Sequence, residues 1–174
     1  MKYAAFLRGI NLGKRQIKMA ELKSVLEGLG FDEVKTILAS GNVIFTSSTD
    51  KSDKLKKDME TAINKRFGFD VRVLMRTEKE IATLVKNDPF KNVKVTPKTR
   101  LYITFLSEPP KSKLKAPYKD GDFTLHEITK AHLVSILGPK VSSPDVMDFL
   151  SKEFGKEITT RNWNTIIKIH KAMN

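Results

Sequence analysis

The first 76 residues switch their hydrophobic period in an order that few folds accept. "KYAAFLR" (2–8) is a short apolar run that stops at Gly9, which reads as a buried strand. "KMAELKSVLEGLG" (18–30) places Met19, Leu22, Val25, Leu26 and Leu29 at helical spacing, with Gly28 and Gly30 near its end. "VKTILA" (34–39) and "VIFTS" (43–47) are rich in β-branched residues, and "SGN" (40–42) between them reads as a tight hairpin turn. "SDKLKKDMETAINKRFG" (52–68) opens on a Ser or Asp cap and sets Leu55, Met59, Ala62, Ile63 and Phe67 on one face. "DVRVLMR" (70–76) closes the set. The order β-α-β-β-α-β predicts a ferredoxin-like unit, a mostly antiparallel sheet with both helices on one face.

The second half predicts a further α+β subdomain. "TEKEIATLVKND" (77–88) is a helix whose Thr77 and Glu80 form a capping box. A polar connection (89–98) follows, then a strand "TRLYITFLS" (99–107) and a proline-rich loop (108–117) expected to hold one helical turn. "DFTLHEIT" and "HLVSILG" suggest a hairpin around Lys130. "SSPDVMDFLSKEFG" (142–155) has a serine cap, a proline in its first turn and Val146, Phe149, Leu150 and Phe154 on one face. The expected class is α+β: a ferredoxin-like subdomain over 1–76, a helix and connection over 77–98, and a related subdomain with a closing helix over 99–174. A length of 174 residues suits that division.

Charge narrows the partners. Lys91, Lys94, Lys98, Arg100, Lys111, Lys113 and Lys115 face Glu108 alone within 91–115, which is half of the formal +12. Such a field attracts phosphates and other polyanions, and makes Lys91, Lys94, Lys98, Lys111, Lys113 and Lys115 nucleic-acid candidates. A lysine-rich solvated surface is the alternative, because no stacking aromatics interleave with these residues as single-strand binders usually show. No run approaches the roughly 18 apolar residues of a membrane span. "MKYAAFLRG" lacks the apolar stretch of a secretory signal, so the expected location is cytoplasmic. Without cysteine there is no disulfide, thiolate chemistry or zinc ribbon.

Catalytic patterns are absent. "GINLGKR" (9–15) stands where a phosphate loop would. It is one residue too short, and Arg15 occupies the position of the magnesium-binding hydroxyl. Its glycines and Lys14 still suit an anion, against the simpler reading of a plain turn. His126, His132 and His170 show no metal-ligand spacing, and Asp120 and Asp122 flank Gly121 as in an ordinary turn. No metal and no cofactor is expected.

The end of the chain, "TTRNWNTIIKIH" (159–170), reads as a helix that opens on an unusual density of polar side chains. Trp163, Ile166, Ile167 and His170 fall on one helical face, and Thr159 or Thr160 is expected to cap. One cap needs one side chain, and Arg161, Asn162, Asn164 and Thr165 exceed that need. An arginine in a first helical turn opposes the dipole by up to about 1 kcal/mol unless an anion neutralises it.

"AFLRGINLG", "TILASGNVIF" and "TTRNWNTIIKI", in that order and separation, resemble the bacterial family known as domain of unknown function 1697. The resemblance spans essentially the whole chain. It implies an α+β fold built from ferredoxin-like units and no established activity. Its signature residues Arg8, Asn11, Ser40, Asn42, Arg161, Asn162 and Asn164, together with Lys14, are the ligand-binding candidates. The end of the first strand and the hairpin turn are expected at opposite ends of the sheet: either "RGIN" and "SGN" serve separate purposes, or the hairpin lies elsewhere than 40–42. Three functions follow: a binding module for phosphate-rich ligands such as nucleic acid or a phosphorylated small molecule; an enzyme using the Arg/Asn signatures on a small anionic substrate; or a protein-interaction module without a ligand site.

Overall fold

The computed structural model describes residues 1–174. The chain divides into two compact units, Met1–Lys86 with Ile167–Asn174, and Asn87–Ile166.

The first unit runs β1 (Lys2–Arg8), α1 (Met19–Glu27), β2 (Asp32–Ile37), β3 (Asn42–Thr46), α2 (Ser52–Phe67), β4 (Arg72–Thr77) and α3 (Glu78–Asn87). Its sheet has the order β2-β3-β1-β4 with antiparallel neighbours throughout, which is the ferredoxin-like arrangement. Alternation along β1 turns Tyr3, Ala5 and Leu7 to one face, where Leu22 and Leu26 of α1 and Leu55, Met59 and Ile63 of α2 cover them. Each of these leucines contributes roughly 1.5–3 kcal/mol by burial. Ala4, Phe6, Ile44 and Leu74 on the opposite face are buried as well.

Several helix ends follow local chemistry. Thr77 and Glu80 form the expected reciprocal box on α3: the Thr77 N–H donates to Glu80 Oε2 at 2.7 Å, and the Glu80 N–H to Thr77 Oγ1 at 3.2 Å. Gly68 ends α2 in the left-handed conformation, φ +80°. The expected Ser or Asp cap on α2 is not used. Ser52 and Asp53 lie inside the helix, Lys51 precedes it, and no side chain bonds its first amides.

The second unit contains β5 (Arg100–Leu106), β6 (Tyr118–Asp120), β7 (Phe123–Ile128), β8 (His132–Leu137), α4 (Ser143–Phe154), β9 (Ile158–Asn162) and the start of α5 (Trp163–Met173). Its antiparallel sheet has the order β6-β7-β8-β5-β9. Leu106, Leu125, Leu133 and Leu137 pack with Val146 and Leu150 of α4, and Ser142 caps α4 by accepting the Asp145 N–H. The helical turn expected within 108–117 does not form. Pro109 and Pro110 remove consecutive donors there, and the stretch has no apolar repeat of helical period.

Arg100 is not part of a surface field. Its guanidinium donates to Ser143 Oγ at 2.8 Å, to the Gly138 carbonyl at 2.6 Å and to the Val141 carbonyl, pinning the loop before α4.

Candidate functional site

The expected separation of "RGIN" from "SGN" is corrected by the sheet. A strand–helix–strand crossover returns the chain to its starting edge, so β1 and β2 finish together. β1 then runs antiparallel to β3, with Phe6 opposite Asn42. The last residues of β1 therefore meet the turn between β2 and β3. The Leu7 N–H donates to the Gly41 carbonyl at 2.7 Å. Asn11 joins the two loops: its Nδ2 donates to the Ala39 carbonyl at 2.6 Å, and its Oδ1 accepts the Ile17 N–H at 2.8 Å. Asn42, fully buried, donates from Nδ2 to the Ile37 carbonyl at 2.8 Å and to Ser40 Oγ at 3.0 Å. Gly41 has φ +82°, and a Cβ there would come within 2.8 Å of Ile10. The connection is longer than the tight turn read from "SGN": residues 38–41 form it, and Leu38 also takes a positive φ.

The loop after β1 is a small hairpin of its own. The Asn11 N–H donates to the Arg15 carbonyl at 2.7 Å, and the Arg15 N–H to the Leu12 carbonyl at 3.1 Å. These two amides are thereby engaged within the loop. Arg15 leans on Phe69, 4.8 Å from the ring centroid, and donates to the Asp70 carbonyl. Lys14 is exposed at the tip. Arg8 is the last residue of β1, opposite Arg72 of β4.

"TTRNWNT" is divided between strand and helix. Residues 158–162 form β9, paired with β5, and the helix begins only at Trp163. Thr159 and Thr160 therefore cap nothing. Thr160 Oγ1 lies 2.8 Å from Thr104 Oγ1 across the ladder, and Thr159 is buried. Asn162 performs the capping, its Oδ1 accepting the Asn164 N–H at 2.9 Å. Asn164 itself is exposed. Arg161 stands opposite Ile103, on the face that also carries Phe105 and Thr159. It donates to the Thr160 carbonyl at 2.9 Å, and burial pulls its pKa down to about 10. The helical face is also displaced: Ile166, Ile169 and Met173 are fully buried, while Trp163 is half-buried, edge-on to Phe90 at 5.3 Å.

The six candidate lysines fall into two sets. Lys91, Lys94 and Lys98 precede β5, and Lys111, Lys113 and Lys115 follow it; all six are exposed. The seven residues of β5 put about 20 Å of strand between those two approaches. In 111–116 exposure alternates: the three lysines point to solvent, while Ser112, Leu114 and Ala116 turn inward. The three lysines thus stand at alternate positions of one segment and make a short ladder in sequence. Ser112 fixes it, donating from Oγ to Glu153 of α4 and accepting the Leu114 N–H at 3.0 Å.

Beside the ladder lies a groove of about 340 Å³ between residues 106–112 and 153–158. Pro109, Pro110 and Phe154 supply apolar walls, Glu108, Glu153 and Glu157 carboxylates, and Lys111 and Lys156 cations. Sequence reasoning missed this groove, because its two walls lie some forty residues apart and no local pattern joins them.

With this geometry in place, the comparisons give a consistent picture. The model of the family described as "Protein of unknown function (DUF1697)" matches residues 1–134. The chain belongs to this family. A solved conserved bacterial protein from Streptococcus pneumoniae superposes with a TM-score of 0.71 at 24% identity, covering 99% of this chain and 98% of that one. That likeness shows the fold. No curated protein matches. In this DUF1697 chain no group of three or more His, Asp or Glu is gathered as a metal site would need. Asp122 ties the turn between β6 and β7 to the loop after β8, its Oδ2 accepting the Lys140 N–H at 2.7 Å. No helix is long and apolar enough to cross a membrane.

Proposed function

We propose that this protein binds a linear, phosphate-rich polyanion along Lys111, Lys113 and Lys115. The observation that supports this reading is the alternation of exposed lysines with inward-turned residues, on a segment tied to α4 through Ser112 and Glu153. Three exposed cations in series along one segment match a repeating anion better than a single phosphate. Each neutralised phosphate releases counterions, so affinity falls steeply with salt. Nucleic acid is a repeating phosphate polyanion of this kind. Asn11, Ser40 and Asn42 are, on this reading, loop architecture, since their side chains bond other parts of the same loops.

The test is the salt dependence of polyanion binding by fluorescence anisotropy. Replacing all three lysines by glutamine is expected to flatten the log–log salt slope by about 2 on a single strand, or about 3 on duplex. An unchanged slope, or no binding at low salt, would contradict the proposal.

A further inference from the structure

We infer that the groove beside the ladder accepts an unstacked nucleobase, so that the polyanion is single-stranded nucleic acid. This rests on the ladder reading and names its ligand class. Lys111 belongs to both features: it lines the groove and begins the ladder. A strand whose phosphates follow the lysines therefore passes the groove mouth. The basic segment has no aromatic of its own at that point, yet the fold supplies Phe154 from the end of α4 to the groove that Pro109 and Pro110 also line. An apolar lining suits a base, and stacking on an aromatic ring tolerates every base. A volume of about 340 Å³ lies at the small end of ligand sites.

The carboxylates sharpen the choice. Glu108 and Glu153 would repel phosphate, so the groove does not suit the backbone itself. Carboxylates accept hydrogen bonds from exocyclic amines, as of cytosine or adenine, whereas thymine presents carbonyl oxygens there. A base held in a duplex must first break its pair and leave the stack. The groove thus favours unpaired, amine-bearing bases.

Anisotropy titrations of the full chain test this with four probes: oligodeoxycytidine, oligothymidine of equal length, the corresponding duplex, and inorganic polyphosphate. Oligodeoxycytidine is expected to bind about tenfold tighter than polyphosphate or duplex. Phe154→Leu, which keeps an apolar side chain and removes the ring, is expected to erase that advantage and leave polyphosphate affinity unchanged. Glu108→Gln alters an exposed loop residue outside the core and is expected to bring oligodeoxycytidine and oligothymidine together, so a poorly folded Phe154→Leu does not decide the matter alone. Equal binding of polyphosphate and single strand, tighter binding of duplex, or indifference to both variants in folded protein would overturn the base pocket and leave the ladder standing. Absence of binding to all four probes would overturn both.

Discussion

Tyr3 carries a hydroxyl that is buried among the side chains between sheet and helices without a hydrogen-bond partner. Burial raises its pKa above 10.0, and the charges of Asp50 and Glu80 raise it further. Above pH 10 the unfolded chain releases this proton while the folded chain keeps it, so the folded state binds more protons and stability falls as pH rises. Tyr3→Phe removes both the stranded hydroxyl and that sensitivity. It is expected to stabilise the protein by about 1 kcal/mol at neutral pH and to lose less stability above pH 10, in urea melts at a series of pH values. Arg161 behaves in the opposite way. Its desolvated guanidinium bonds the Thr160 carbonyl on an apolar strand face, so Arg161→Ala is expected to cost about 1.5–3 kcal/mol. A cost under about 0.5 kcal/mol in the same melts would place Arg161 at a solvated surface instead.

At the scale of elements, the signature loops hold the first unit together where β1 ends. Gly41 is required there twice, by φ +82° and by the approach of Ile10 and Leu7 to within 3.0 Å of any Cβ. Gly41→Ala is expected to destabilise by about 2–4 kcal/mol, from a left-handed penalty and local overpacking, measured by thermal or urea unfolding. Elements specified by neighbouring residues were legible in the sequence: the Thr77–Glu80 box, the Ser142 cap and the apolar run of β1 all depend on short stretches. Elements specified by distant partners were not. Thr159 and Thr160 carry the chemistry of a cap, and only pairing with β5, 56 residues before Thr160, makes them strand residues. The meeting of "RGIN" with "SGN" was available in principle, because a crossover makes β1 and β2 parallel. The groove was not, since Phe154 and Pro109 share no local pattern.

Across the whole molecule, charge alone does not choose a site. Of the 32 Lys and Arg and 20 Asp and Glu, the first unit holds 19 and 11 and the second 13 and 9. The first unit thus has the larger basic excess, and a diffuse field would draw a polyanion there. The ladder instead draws a polyanion to the second unit, because Lys111, Lys113 and Lys115 are exposed in series on one segment tied to α4 through Ser112. Chemical-shift mapping of isotope-labelled protein during titration with oligodeoxycytidine separates the two directly. The account predicts shifts in backbone amides of residues 107–116 and 153–158, with those of 9–17 and 38–42 unmoved. Shifts confined to the 9–17 and 38–42 loops, with 107–116 silent, would contradict it.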